Sequence, residues 1–249
     1  MSYKIINGYY SQDNSVHLIV RNDKGKFIKT IKHHMPYIYI KKSDYDNPII
    51  KRKLDDWKEN NIIKKVIQDT NPEFKKIYLT NPKQVYEVRP WLETHNVTPF
   101  EADIPYVRRI LIDNLINIGT KKLRKLFIDI ETDDSRHGIE VGRDRILTIG
   151  LEDENNKKWF LKATTEIELL KKFGDTIKDY DVLIAWYGKR FDFPYIETRC
   201  RVNNVWIDWR HYQRIDFYII YRKSRQQDLS GGYNLDNVGK NELGTRKIV

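Results

Sequence analysis

Residues 127–132 read Phe-Ile-Asp-Ile-Glu-Thr, and this stretch decides how the second half of the chain is interpreted. Its apolar, β-branched character predicts a strand, and a strand directs alternate side chains to opposite faces. Asp129 and Glu131 therefore point to one face, while Ile128 and Ile130 point to the other. Two neighbouring carboxylates at the end of an apolar strand repel each other, and a divalent cation would compensate that repulsion. The alternative is an ordinary strand that leaves the core with its acids in water.

A second carboxylate follows another strand of the same half. Residues 183–195 read Leu-Ile-Ala-Trp-Tyr-Gly-Lys-Arg-Phe-Asp-Phe-Pro-Tyr, which predicts a buried strand, a glycine-containing turn and a helix that starts near Asp192. Alone, Asp192 would be a helix cap worth about 1 kcal/mol. Two acidic elements at the ends of adjacent strands can instead form one metal cluster. Asp129, Glu131 and Asp192 are the candidates for such a cluster.

The remaining patterns of residues 125–249 alternate between strand and helix. Further strands are predicted at residues 145–152, 158–161 and 181–186. Thr165, with Glu168 three residues later, matches a capping box and predicts a helix over residues 165–177. Another helix is expected from about Phe193. This order of elements predicts a mixed sheet with helices packed on it.

The first half is expected to be a separate, β-rich domain. Strands are predicted at residues 16–20, 27–31, 37–40 and 74–79, the first two joined as a hairpin. Helices are predicted at residues 48–65, 83–92 and 105–115, and Asp103 is placed to cap the last of these. A polar, basic connector at residues 119–124 marks the boundary. The overall prediction is an α/β (α+β) protein with domains at residues 1–124 and 125–249.

Charge is distributed unevenly between these two halves. Residues 1–124 contain 23 Lys and Arg against 14 Asp and Glu, whereas residues 125–249 contain 22 against 21. A positive surplus confined to one half favours a nucleic-acid surface, although a solvated Lys-rich surface is the simpler interpretation of composition alone. Sixteen Tyr and nine Phe offer base-stacking surfaces. Composition by itself does not choose between these interpretations.

Composition also bears on the cellular compartment. No apolar run is long enough to span a membrane, and the first residues lack the apolar segment of a secretory signal. Cys200 is the only cysteine, so an internal disulfide is impossible. We expect a cytoplasmic protein with no membrane contact, in which Cys200 is a buried apolar residue.

Taken together, the motifs resemble those of family B DNA polymerases of the archaeal type. Residues 129–131 resemble the first exonuclease motif, and residues 187–195 resemble the second. Residues 214–218 and 233–247 resemble segments that follow in the same domain. In the first half, residues 25–27, 35–39, 78–82 and 103–113 appear in family order. The resemblance covers nearly the whole chain.

The resemblance implies an RNase H-like 3′→5′ exonuclease domain that proofreads during DNA replication. It assigns Asp129, Glu131 and Asp192 to a two-metal site and Tyr187 and Phe191 to substrate binding. The family usually has Asn where this chain has Tyr187. It also has a third motif, Tyr-x-x-x-Asp, which should lie beyond residue 247. The exonuclease domain is therefore expected to be incomplete here, and its two-metal site with it.

The implied partners are DNA, as a single-stranded template and a primer 3′ end, and the polypeptide that carries the polymerase palm. That polypeptide would be a missing carboxy-terminal part or a second chain. Alone, the chain is expected to have weak or absent exonuclease activity. The competing hypothesis is a non-catalytic DNA-binding or scaffold subunit with vestigial acids. An unrelated RNase H-like nuclease is disfavoured by the first-half motifs.

Archaeal members also use their amino-terminal domain to bind uracil in template DNA. The positions implied by the resemblance are Tyr9, Pro36, Tyr37, Pro82, Val85, Tyr106 and Arg109. Lys83 stands where a polar amide would be expected. A tight apolar slot with backbone polar groups could read a flipped base and exclude thymine's methyl group. The alternative is that Pro36, Val85 and Tyr106 only pack in the core.

Overall fold

A computed structural model describes residues 3–32, 34–116, 119, 122–133, 140–225 and 229–245. The chain divides into two compact units, Met1–Thr120 and Lys121–Val249, and each is described by itself. The predicted boundary, after residue 124, lies close to this division. None of the helices in the described residues is both long and apolar enough to cross a bilayer.

Unit 1 contains two antiparallel three-stranded sheets. The first has the order β1-β2-β3, formed by Lys4–Tyr10, Val16–Asn22 and Gly25–Ile31. The predicted hairpin is confirmed: Asn22 pairs with Gly25, whose φ of +129° requires glycine. The second sheet has the order β4-β6-β5, formed by Tyr37–Lys41 (β4), Ile63–Gln68 (β5) and Phe74–Leu79 (β6).

The helices of unit 1 are Lys42–Tyr45 (α1), Pro48–Glu59 (α2), Val85–Thr94 (α3) and Tyr106–Asp113 (α4), with a 3-10 turn at Pro82–Gln84. Helix α2 packs Leu54 and Trp57 against Ile38 and Ile77 of the second sheet. Helix α4 packs Ile110 on the buried face of β2. Burial of these apolar side chains is what stabilises the unit.

Two predictions for unit 1 are wrong. The helix predicted over residues 48–65 ends at Glu59, because Asn61 takes a left-handed conformation (φ +56°) and Ile63 begins a strand paired with β6. Strand pairing outweighs the helical spacing of the apolar residues there. Asp103 does not cap α4: the N-cap position is Pro105, without a side-chain cap, and Asp103 precedes it by two residues.

Unit 2 is built on a five-stranded sheet of order β11-β10-β7-β8-β9. The strands are Lys125–Thr132 (β7), Ile146–Asp153 (β8), Lys158–Leu161 (β9), Val182–Ala185 (β10) and Gln213–Asp216 (β11). Strands β7, β10 and β11 are parallel, and β8 and β9 form the predicted meander. The predicted mixed sheet is confirmed.

The helices of unit 2 are Glu166–Ile177 (α5), Asp192–Val202 (α6), Phe217–Ser224 (α7) and Leu235–Leu243 (α8), with a 3-10 turn at Trp209–His211. The predicted helix start at Thr165 is confirmed, since its hydroxyl accepts a hydrogen bond of 3.3 Å from the Glu168 amide. Phe173 of α5 and Ile196 of α6 are fully buried in the core with β7 and β8. One face of the sheet is thereby covered, and its carboxyl edge remains available.

Candidate functional site

The acidic residues of unit 2 follow from the strand register at one edge of the sheet. Ile184 of β10 pairs with Phe127 of β7, and β10 ends one residue later. Asp129 and Glu131 therefore lie on the part of β7 that extends beyond β10. Because the carboxyl ends of parallel strands meet at one edge, residues that follow β10 and β11 come to the same place.

Strand β7 has the alternation predicted from its sequence. Ile128 and Ile130 are each 5% exposed, whereas Asp129 and Glu131 lie on the exposed face. Asp129 is opposite Gly150 on β8, a residue without a side chain. The carboxylate of Asp129 therefore has open space beside it.

Asp192 is buried beside β7, only 3% exposed. It is the first residue of α6, but Phe191 holds the N-cap position and no side-chain cap bond is made. Burial and then the charge of Asp129 raise the pKa of Asp192 to about 7, against the lowering effect of hydrogen bonds from the Asp192 and Ile130 amides. Asp192 is therefore not an ordinary helix cap, and its carboxylate is near enough to Asp129 for that charge to act on it.

Asp216 is a member of this site that the sequence analysis did not identify. It ends β11 and is 3% exposed. Its Oδ2 accepts a hydrogen bond of 3.2 Å from the Lys189 amide, and within the described residues its Oδ1 has no hydrogen-bond partner. Its charge contributes to the raised pKa of Asp192. Its position at the end of a strand was the available signal in the sequence.

The donor chemistry of this site fits a hard divalent cation, but the described side chains do not form a complete cage. Within the described ranges, no three carboxylate, imidazole or thiol groups converge on a position that a metal ion could occupy. The charges of Asp129 and Asp216 both act on Asp192, and Glu131 lies exposed on the face of β7 that carries Asp129. Mg²⁺ is commonly held by one or two carboxylates and keeps several waters. Asp129 and Asp192 satisfy that requirement.

The two residues predicted to bind substrate have different surroundings. Tyr187 is half-buried, with a left-handed backbone (φ +61°), and its ring stacks on Tyr218 at 4.0 Å between centroids. The ring of Phe191 packs against the core, 5.3 Å from that of Tyr195. Tyr187 is therefore placed on the surface beside the acids, whereas Phe191 supports the start of α6.

Unit 1 has a separate cavity of about 500 Å³. Six of the seven residues predicted for a uracil pocket line it: Pro36, Tyr37, Pro82, Val85, Tyr106 and Arg109. Tyr9 does not line this cavity. Gly8 and Tyr10 line the cavity, and alternation along β1 directs Tyr9 to the opposite face, where it stacks on His17 at 5.0 Å.

Hydrogen bonds and ion pairs hold the polar wall of this cavity in place. The Tyr106 hydroxyl donates to the carbonyl oxygens of Asn14 (2.9 Å) and His34 (2.8 Å), and burial raises its pKa to about 12. Arg109 is 6% exposed, with Nη2 located 2.6 Å from Glu101 Oε2. These side chains are fixed before any ligand binds, so the cavity has a defined shape.

Several known proteins are similar to this chain. Residues 126–247 match the RNase H superfamily. A DNA polymerase of Desulfurococcus sp. (strain Tok) is 32% identical over 223 residues, covering 79% of this chain and 29% of that polymerase. A DNA polymerase of Methanocaldococcus jannaschii is 30% identical over 206 residues, covering 68% of this chain and 13% of that protein.

A solved structure shares the fold. The structure of the family B DNA polymerase from Pyrobaculum calidifontis superposes with a TM-score of 0.74 and 18% identity, covering 99% of this chain and 40% of that one. In each comparison the chain spans less than half of the protein that it matches.

Proposed function

This chain is homologous to archaeal family B DNA polymerases and carries an RNase H-like domain, and from this premise we propose that unit 2 acts in 3′→5′ exonucleolytic proofreading during DNA replication. The observation that supports this most directly is Asp192, buried beside Asp129 at the carboxyl edge of the parallel strands. A buried carboxylate next to another carboxylate is unfavourable in a purely structural role, and such perturbed groups are enriched at functional sites.

In this proposal Asp129, Glu131 and Asp192 hold Mg²⁺ or Mn²⁺ at the scissile phosphate of a DNA 3′ end. When bound, the cations supply positive charge that stabilises the charge developing on that phosphate. The protein contributes orientation: the backbone amides of Ile130 and Asp192 hold the Asp192 carboxylate beside β7. Because Asp192 is buried, its ionised form is stabilised only when positive charge is nearby, and a bound cation would supply that charge.

We also propose that further polypeptide completes this site and carries the polymerase palm. The chain matches only 29% of the Desulfurococcus polymerase, so most of such an enzyme lies outside the matched region. The completing polypeptide would supply the Tyr-x-x-x-Asp motif. The chain alone should then bind the metal but hydrolyse DNA weakly or not at all.

Titration calorimetry with Mg²⁺ and with Mn²⁺ tests the metal site directly. We expect measurable heats for the chain, loss of most of the signal for Asp129→Ala, and no change for Asp175→Ala, an exposed acid on α5 paired only with Lys178 in the described structure. Digestion of 3′-labelled single-stranded DNA is measured in parallel. Identical heats for Asp129→Ala and the unmodified chain would contradict the metal site. Rapid digestion by the chain alone would contradict the need for a completing polypeptide.

The competing hypothesis, a non-catalytic DNA-binding or scaffold subunit, is supported by one observation: the described residues do not assemble three metal donors. It predicts DNA binding that is unaffected by Asp129→Ala and no metal uptake at any concentration tested. The same calorimetry therefore separates the two hypotheses.

A second candidate function, uracil recognition by unit 1, is favoured by the cavity that six of the seven predicted residues line. Pro36, Pro82 and Val85 contribute an apolar wall, and Arg109 contributes a charged one. A cavity of about 500 Å³ is within the range of small-ligand pockets, so a base turned out of the strand could enter. We propose that contact with the apolar wall excludes the methyl group of thymine.

The test compares binding of two oligonucleotides that differ by a single uracil-for-thymine change, at fixed salt. We expect the uracil strand to bind more tightly by about 1–3 kcal/mol, the range for one methyl group in a fitted pocket. Val85→Gln should remove the preference by filling the cavity, while Thr94→Gln, on the exposed end of α3, should not. Equal binding of the two strands by the unmodified chain would refute uracil recognition and leave a basic DNA-binding domain.

A further inference from the structure

Two tyrosine rings of unit 2 lie face to face, one on the segment that follows β10 and the other on the helix that follows β11. The centroids of Tyr187 and Tyr218 are 4.0 Å apart and the rings are inclined by 24°. Tyr187 has φ +61°, a conformation that β-carbon-bearing residues avoid, and the amides of Arg190 and Phe191 hold it by donating to its carbonyl oxygen at 2.9 and 3.0 Å. The strained turn therefore brings the ring onto Tyr218.

Other aromatic side chains fix the partner ring. The Tyr218 edge meets Trp186, with centroids 5.9 Å apart and an interplanar angle of 78°, and also meets Tyr233 at 6.3 Å and 86°. Tyr218 is the second residue of α7 and remains half-buried. Because the supporting rings stand nearly perpendicular to Tyr218, it cannot tilt freely, and the Tyr187 ring stacked on it is held parallel to a fixed surface.

Exposed guanidinium groups surround the pair. Arg222 lies one helical turn after Tyr218, with Nη1 at 3.5 Å from the Tyr218 hydroxyl. Arg190 lies in the same turn as Tyr187. Both arginines are exposed, and the positive charge of each acts on both tyrosine hydroxyls. Aromatic rings flanked by mobile positive charges are the combination that binds single-stranded nucleic acids, through base stacking and phosphate contacts.

The pair belongs to the same sheet edge as the acids. Residues 186–191 connect β10 to Asp192, and α7 begins directly after Asp216. The two segments are joined by the hydrogen bond of 3.2 Å from the Lys189 amide to Asp216 Oδ2. The two rings therefore lie on the same two segments that carry Asp192 and Asp216.

We propose that Tyr187 and Tyr218 form a stacking platform for a base close to the 3′ end of a single DNA strand, with Arg190 and Arg222 contacting its phosphates. The half-exposed ring of Tyr187 carries the base, and Tyr218 supports it from behind. The assignment of the bound base to the 3′ end of the strand rests on the proposed exonuclease function, whereas the stacking of a base on the two rings does not. A purely structural tyrosine pair would need neither the strained turn nor the exposed arginines.

The test uses the full chain in EDTA, so that no metal-dependent cleavage occurs. Single-stranded oligothymidines carry one 2-aminopurine, either near the 3′ end or in the middle of the strand. Stacking on a tyrosine quenches 2-aminopurine fluorescence, and we expect several-fold quenching only for the probe near the 3′ end. Tyr187→Leu should abolish this quenching, Tyr187→Phe should retain it, and Trp206→Leu, which removes an 85% exposed aromatic from the same unit, should have no effect.

Arg222→Gln provides a second measurement that does not depend on the rings. Loss of one phosphate contact should lower affinity and make the slope of log affinity against log salt shallower by about 0.7. Equal quenching in the unmodified chain and Tyr187→Leu would overturn the platform, and equal quenching at both probe positions would overturn its assignment to the 3′ end of the strand. Quenching that follows this pattern would support it, even if calorimetry shows no metal uptake that depends on Asp129. In that case only the proposed exonuclease function would fail.

Discussion

Replacing Asp192 by Asn should stabilise unit 2 in the absence of metal. Asp192 is 3% exposed, and its pKa rises from an ordinary 3.8 to about 7 on folding. A carboxyl group with a higher pKa in the folded state favours folding most at low pH. As the pH rises through the unfolded-state pKa of 3.8 and the folded-state pKa of about 7, this contribution to stability is lost. The ionised carboxylate therefore disfavours the folded state at neutral pH. Asn keeps the shape of the side chain and removes the charge.

The magnitude follows from the same two pKa values. Each pKa unit corresponds to about 1.4 kcal/mol, so the full difference amounts to about 4 kcal/mol at pH 8 and about 2 kcal/mol at pH 5. We therefore expect Asp192→Asn to raise the free energy of unfolding by up to about these amounts, and by more at pH 8 than at pH 5.

Native-state hydrogen exchange of α6 and β7 peptides is the suitable assay, because it measures the opening of unit 2 without interference from unit 1. Asp208→Asn is the matched control. The pKa of Asp208 is lowered, chiefly by the hydrogen bond from Arg210, so removing the Asp208 charge should destabilise the unit at pH 8. Saturating Mg²⁺ should stabilise the unmodified chain and leave Asp192→Asn unchanged. A variant that is less stable than the unmodified chain at pH 8 without metal would refute this account of Asp192.

The remaining predictions concern other buried polar groups. Arg199→Leu should destabilise unit 2 by about 3–5 kcal/mol in urea unfolding at pH 7, since it leaves Glu166 buried without the 2.5 and 2.9 Å bonds from Arg199. This loss of stability should be smaller at acid pH, where Glu166 can be protonated. A loss of stability that does not change with pH would contradict this account of Arg199 and Glu166. Cys200, whose pKa is raised to about 12 by burial, should react with iodoacetamide only as fast as the unit opens, and immediate labelling at neutral pH would contradict this. Tyr106→Phe should cost unit 1 about 1–3 kcal/mol, because two carbonyl oxygens lose their donor, and unchanged melting would show that water replaces it.

Local patterns in the sequence predicted strands β7 to β10 and helices α5 and α6 of unit 2, whereas β11, α7 and α8 were not predicted from them. The alternation of apolar and acidic residues in β7 is a property of the strand itself, so the shared face of Asp129 and Glu131 could be read directly. The cap at Thr165 was equally local. The order of motifs along the chain was sufficient to indicate the polymerase family.

The same reasoning failed where two local preferences compete. Residues 60–65 have helical apolar spacing, yet Ile63 pairs with β6, and only the neighbouring strand makes that outcome favourable. The resemblance placed Tyr9 with the cavity residues, but it did not supply the strand face, and the register of β1 directs Tyr9 away from the cavity to stack on His17.

Local residue patterns and the order of motifs along the chain were therefore enough, by themselves, to predict a two-part α/β protein with paired acids at the end of a strand. Tertiary structure decided which residues meet those acids. Asp216 joins Asp192 because β11 lies beside β10 in parallel register, and Tyr218 reaches Tyr187 because α7 starts where β11 ends. Neither contact leaves a periodic signal in the sequence, since each depends on segments that are distant along the chain and are brought together only when the sheet assembles.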